Sequence, residues 1–265
     1  MWLRTSCSLT FDIEVPTPFI LMLRPRSGAL QWVSREEYRI YPMVPVTEFT
    51  DEYGNLCQRL TAPVGGFAIY TVADVSTSDS MAEAPGAPFV EIESLPDGVL
   101  GYLLPSRYCE SERFHTMASE ITQGCWPGYD QVKAIESWLR NHISYIPGSS
   151  TIPISAQEVN ERGWGVCRDL SHLGIALCRS LSIPARFVVG YLHELEPMDL
   201  HAWFEAYVGG RWYTFDATQR ELHGGYVAIG YGHDAADVAV YNQYGPAVYP
   251  KTQTVRVRRL KGHPT

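Results

Sequence analysis

Gly163-Trp164-Gly165-Val166-Cys167-Arg168-Asp169-Leu170-Ser171-His172-Leu173-Gly174 is the stretch on which the fold of this chain turns. From Cys167 onward the apolar positions fall at Leu170, Leu173, Gly174, Leu177, Cys178 and Leu181. That is the i, i+3, i+4, i+7 spacing of a helix with one face in a core. Gly163 and Gly165 break any helix arriving from upstream, and Pro184 stops this one at its far end. Cys167 is therefore predicted in the first helical turn, on the buried side. Helix N-termini carry unpaired N–H groups and a partial positive charge, which favour a thiolate, and Arg168 adds a cation next in sequence. A cysteine at a helix start is, taken alone, most often a small packed hydrophobe. The residues that follow change that reading.

His201 opens the run His-Ala-Trp-Phe-Glu-Ala-Tyr-Val, then come Gly209-Gly210 and Arg-Trp-Tyr-Thr-Phe-Asp, ending at Asp216. Two aromatic, β-branched segments around Gly-Gly predict a hairpin with a two-residue primed turn. Pairing Val208 with Arg211 sets His201 opposite Thr218 and Trp203 opposite Asp216. His201 and Asp216 then share a face as diagonal neighbours within side-chain reach. An odd slip in register would put them on opposite faces. Cys167, His201 and Asp216 together supply a nucleophile, a base and an orienting carboxylate, the set that covalent acyl transfer needs.

The run Gly165-Val166-Cys167-Arg168-Asp169-Leu170-Ser171-His172-Leu173 resembles the bacterial transglutaminase-like superfamily, whose members are often labelled as cysteine proteases. Ile183-Pro184-Ala185-Arg186, His201–Tyr207, Trp212–Asp216 and Gly232–Val238 are similar to other segments of these proteins. Leu23-Arg24-Pro25-Arg26 and Asp51-Glu52-Tyr53-Gly54-Asn55 resemble the β-rich domain that precedes their core. The resemblance spans nearly the whole chain. It implies an α+β fold with a papain/transglutaminase-like core, helices packed on an antiparallel sheet and the catalytic Cys at a helix N-terminus, preceded by a mostly β domain. It also implies catalytic roles for Cys167, His201 and Asp216.

Other residues carry weaker signals. His172 lies about 140° round the helix from Cys167 at 100° per residue, so a structural role is expected for it. Asp169, in the first turn, suits a capping or salt-bridge role. His115, His142, His193, His223, His233 and His263 show no metal-ligand spacing, and the six cysteines contain no CxxC pair. Neither a metal nor any other cofactor is expected.

Composition narrows the class. A net charge of −8 and the lack of a basic run before Arg256–Lys261 argue against nucleic-acid binding. That final run alternates with valine and reads as an edge strand. No apolar stretch is long enough to span a membrane, and no secretory leader is visible. Six scattered cysteines suit a reducing, cytoplasmic setting. Strand-like runs at Cys7–Val15, Glu37–Ile40, Gln58–Thr61 and Ala68–Val72 are followed by a Ser/Ala/Pro/Gly-rich connection at 76–88. Helices are predicted near 110–122 and 130–142, and Ser155-Ala-Gln-Glu158 is a capping box for a short helix that Gly163 ends. The expected division is a β-rich domain over 1–100 and a thiol-catalysis core over 101–265.

The expected activity is thiol-dependent acyl transfer through a thioester, with peptide or protein amides as substrates and hydrolysis as the outcome. Transfer to an amine, as in transglutaminases, and a non-catalytic peptide-binding protein with a residual triad are the alternatives. Arylamine N-acetyltransferases share the Cys, His, Asp order, but their Arg-Gly-Gly-type run before the cysteine is replaced here by Trp164-Gly165-Val166. The Cys167 backbone N–H can donate to the oxyanion. A second donor is expected among Trp126, Trp138, Gln157 and Trp164, without a choice between them. Whether the chain forms a homo-oligomer is left open.

Overall fold

The computed structural model describes residues 1–262; His263 lies outside the described residues. The first strand, β1 (Trp2–Ile13), alternates buried Leu3, Thr5, Cys7, Leu9, Phe11 and Ile13 with outward residues, the two-residue period of a sheet with one packed face. It is followed by β2 (Thr17–Leu21), β3 (Gln31–Tyr41), β4 (Thr47–Thr50), β5 (Leu56–Ala62) and β6 (Gly65–Thr77). Their aromatic side chains close a sandwich. Phe11 and Phe19 meet at 5.4 Å between centroids, and Phe19 and Phe67 at 6.1 Å.

The middle of the chain is helical: α1 (Asp97–Leu100), α2 (His115–Ile121), α3 (Tyr129–His142), α4 (Ala156–Arg162) and α5 (Cys167–Ser180). Ser155 caps α4 by accepting from the Glu158 backbone N–H, and Gly163 ends it in the left-handed conformation at φ 70°. Two short parallel strands, β7 (Ser144–Tyr145) and β8 (Trp164–Gly165), tie the end of α3 to the start of α5.

Next comes an antiparallel sheet of β9 (Ala185–Leu192), β10 (His201–Val208), β11 (Arg211–Phe215) and β12 (Tyr226–Gly232), in the order β11-β10-β9-β12. β10 is buried along its whole length, because both faces of this sheet are covered. On one face α5 packs so closely that a Cβ on Gly174 would stand 2.7 Å from the Phe204 ring. On the other, Val188, Leu192, Trp203, Tyr226 and Ala228 form a second apolar cluster. The architecture is α+β, with helices on an antiparallel sheet and a β-rich N-terminal region.

The last strands do not stay with that sheet. β13 (Tyr241–Gln243) pairs with β2, and β14 (Thr252–Arg259) pairs with β1 at the edge of the order β14-β1-β6-β3. The edge strand expected at Arg256–Lys261 is therefore present, and the hydrogen bonding of the C-terminal strands joins them to the β-rich region rather than to the unit over 101–265. The two parts also share hydrogen bonds. Gln31 donates to the Ala228 carbonyl and accepts from its N–H, at 2.8 and 2.7 Å. Asn55 does the same with Tyr231, at 2.8 Å in both directions.

Candidate active site

Cys167 occupies the first helical position of α5, with Val166 as the extended N-cap residue. The fully buried Asp169 carboxylate accepts from the Val166 backbone N–H at 3.2 Å and from Arg168 Nε at 2.9 Å, so it both caps and pairs. Arg168 also donates to Ser150 Oγ and the Ile152 carbonyl. Its charge is thus committed to Asp169 and the 150–152 loop. The helix terminus and the histidine, rather than this guanidinium, set the surroundings of the thiol.

The hairpin brings in the other two residues. Val208 pairs with Arg211 and Phe204 with Phe215, the register deduced from Gly209-Gly210, whose φ angles are 58° and 84°. Positive φ at both central positions is what a type I′ turn requires. β11 ends at Phe215, and Asp216 follows at its edge. His201 Nε2 and Asp216 Oδ2 are 2.6 Å apart, both side chains essentially inaccessible.

The other ring nitrogen, Nδ1, is buried and makes no hydrogen bond of ordinary geometry. Besides Asp216, Cys167 acts on the protonation of this ring, and Thr218 Oγ1 lies 3.5 Å from Nε2. Burial works against protonation of His201, but the Asp216 carboxylate and then Cys167 outweigh it and raise its pKa to about 10. Burial would likewise raise the Asp216 pKa. His201, by charge and hydrogen bond, and the Thr218 donors hold it below the usual carboxylate range instead.

Asp216 is anchored on every side, by residues that the sequence did not single out. Its Oδ1 accepts from Thr218 N at 3.0 Å and Thr218 Oγ1 at 2.7 Å, and its Oδ2 also accepts from the Tyr226 hydroxyl at 2.9 Å. The Asp216 backbone N–H donates to Glu136 Oε1 at 2.9 Å, and its carbonyl accepts from Arg140. Glu136 is fully buried and paired with Lys133 and Arg140. The only advance signal for Glu136 was a carboxylate falling among Val132, Ile135 and Leu139 on the inward side of α3. Tyr226 carried none.

His172 is a core residue, as expected. Its Nδ1 pairs with the Ile154 carbonyl and its Nε2 accepts from the Ala235 N–H; its ring stacks on Tyr108. Burial lowers its pKa, which keeps the ring neutral for that pairing. All six cysteines are free; Cys7, Cys57, Cys109 and Cys178 are buried, and Cys125 and Cys167 are half-buried. Among the described residues no group of three His, Cys, Asp or Glu side chains is gathered to hold a metal ion. No helix among them is long and apolar enough to cross a membrane.

Cys167 thus opens a long helix, and a buried carboxylate at the end of the neighbouring strand holds His201. The chain belongs to the transglutaminase-like superfamily, whose sequence profile matches residues 115–217. It is similar over its full length to the crystal structure of a "Putative Cysteine Protease" from Cytophaga hutchinsonii. The two are 34% identical, with 100% of this chain and 92% of that one covered and a TM-score of 0.90. An uncharacterised protein of Mycobacterium leprae is 28% identical over 231 residues, 82% of each chain. The uncharacterised protein YebA of Bacillus subtilis is 30% identical over 144 residues, 44% of this chain and 20% of that protein.

Proposed function

We propose that this protein is a thiol-dependent acyl-transfer enzyme that hydrolyses peptide or amide bonds, with Cys167 as nucleophile, His201 as base and acid, and Asp216 as the orienting carboxylate. The observation that carries this reading is the 2.6 Å bond from His201 to Asp216, with the second ring nitrogen left for the half-buried thiol. The Cys167 sulfur attacks the carbonyl carbon as a thiolate, its proton already held by His201, whose raised pKa keeps the ring an imidazolium at neutral pH. The tetrahedral adduct then collapses, and the leaving amine takes that proton. The resulting thioester is attacked by water, deprotonated by His201, which frees the acid and restores the thiolate. Asp216 accepts the imidazole N–H and stabilises the imidazolium present in each half-reaction.

Hydrolysis is placed ahead of transfer to an amine because the relative from Cytophaga hutchinsonii is described as a "Putative Cysteine Protease". Six free thiols support a reducing, cytoplasmic setting. Incubation with a panel of peptides and activated acyl donors, followed by mass spectrometry of the Cys167 peptide, tests the reading. An acyl adduct on Cys167 that decays with release of acid is expected. Decay only when a primary amine is added would instead make the protein a transferase. The parent protein showing no adduct, while Cys167 still alkylates freely, would overturn acyl transfer altogether.

A further inference from the structure

A tetrahedral adduct on Cys167 needs two donors for its oxyanion. The Cys167 backbone N–H, at the first position of α5, is one of the helix's unpaired N–H groups. Of the four side chains expected for the second place, one has its donor taken, two lie in ring contacts and one is largely exposed. Gln157 Nε2 donates to Glu161 at 2.6 Å. Trp138 stacks on His142, and Trp164 lies under the Arg162 guanidinium. Trp126 stands 76% exposed.

Tyr145 is placed differently. It is the last residue of β7, paired in parallel with Gly165 of β8, two residues before the nucleophile in sequence. The pairing is fixed by backbone bonds from Ser144 N to the Gly163 carbonyl at 2.8 Å and from Ile146 N to the Gly165 carbonyl at 2.9 Å. Its half-buried ring packs on the same apolar core as the Cys167 side chain, and its hydroxyl makes no hydrogen bond within the described residues.

We propose that the Tyr145 hydroxyl is the second oxyanion donor, acting with the Cys167 backbone N–H; the proposal rests on the acyl-transfer reading above. Burial first, and then the negative charges of Cys167, Asp216 and Asp199, push the Tyr145 pKa up. The group therefore stays an O–H donor wherever the thiolate exists. The pairing of Tyr145 with Gly165 sets its strand beside the start of α5. As the S–C bond forms, the carbonyl π electrons move onto oxygen, which accepts from the Tyr145 O–H and the Cys167 N–H. The phenol keeps its proton. On collapse the C=O double bond reforms, and the amine leaves with the proton held by His201.

Two reactions of the same thiol separate this role from others. Alkylation by iodoacetamide displaces iodide and forms no oxyanion, whereas acylation by p-nitrophenyl acetate does. Tyr145→Phe should slow the acetylation of Cys167 by about 10- to 100-fold, somewhat less than loss of an oxyanion donor in a serine enzyme. It should leave iodoacetamide labelling within about twofold of the parent. Background is taken from Cys167→Ser, and the acetyl group is located by mass on the Cys167 peptide. Equal acetylation of parent and Tyr145→Phe overturns the proposal, as does a parallel fall in both reactions, which would mean that Tyr145 acts on the thiol itself. Parent protein that alkylates at Cys167 but is acetylated by no activated ester overturns the underlying reading, and Tyr145 falls with it.

Discussion

Asp216 Oδ2 accepts two hydrogen bonds at once, from His201 Nε2 at 2.6 Å and from the Tyr226 hydroxyl at 2.9 Å. One oxygen of a fully buried carboxylate thus serves the proposed base and also accepts from a tyrosine of a different strand. Tyr226 is held in turn by the β-rich region, since Thr77 Oγ1 donates to its carbonyl at 2.9 Å. Tyr226 thus touches the end of β6 through its backbone and the carboxylate that holds the histidine through its hydroxyl.

Tyr226→Phe removes one of the donors that favour the ionised form of Asp216. The Asp216 pKa should rise, so the acid-side loss of Cys167 reactivity should move to higher pH. Reactivity at neutral pH should fall about three- to tenfold and stability by about 1–2 kcal/mol, the cost of one lost donor to a buried charge. Iodoacetamide rates against pH and a urea titration are the measurements. An acid limb that stays in place while stability drops would leave Tyr226 with a packing role only.

Asp216→Asn keeps an acceptor for the imidazole N–H but removes the charge. In a serine triad the equivalent change costs about four orders of magnitude; a thiol is more acidic than an alcohol, so about two orders are expected here. The pair should also show in stability. His201 is raised to about 10, so its contribution is complete below its ordinary value near 6.5 and is lost as pH rises toward 10. Asp216 is lowered, so its contribution is present above about 4 and fades as pH falls further. The melting-temperature gap between parent and Asp216→Asn should therefore be widest between about pH 4 and 6.5 and narrow on either side. A gap independent of pH would count against an ionised pair.

Cys167 should be the fastest of the six thiols toward iodoacetamide at neutral pH. Burial pushes the thiols of Cys7 and Cys109 up to about 12 and that of Cys57 up to about 11, and raises Cys178 as well. Cys125, also half-buried, is the true competitor, but it lies between helices, whereas Cys167 opens α5. Peptide mapping after limited labelling decides; faster labelling of Cys125 would remove the main support for an activated Cys167.

A chain cut to residues 101–265 should fail to fold as a soluble monomer. It would carry β13 and β14 without β2 and β1, their only pairing partners among the described strands. It would also leave Ala228 and Tyr231 without the bonds from Gln31 and Asn55. Unpaired strand edges and an uncovered apolar face favour aggregation. Size-exclusion chromatography and circular dichroism of the fragment test this. A monomeric, folded fragment would show that the sandwich is dispensable to the core.

Much of the site was legible because it rests on local rules. The spacing from Leu170 to Leu181, with Gly165 before it and Pro184 after it, decides where α5 starts, and hence that Cys167 stands at an N-terminus. Gly209-Gly210 sets the hairpin register, and the register sets His201 beside Asp216. These are relations between near neighbours in sequence, governed by periodicity and turn sterics. Contacts across the molecule have no such signature. That Tyr226 shares Asp216 Oδ2, that Glu136 holds the Asp216 N–H, and that Arg168 turns from the thiol to Asp169 depend on how separate elements pack. The same holds for β14, whose alternation with arginine marked it as an edge strand but not as the partner of β1. Local sequence determined the elements and the two halves of the proposed triad; only tertiary packing decided which residues surround them, because burial and long-range pairing are chosen by the whole core together.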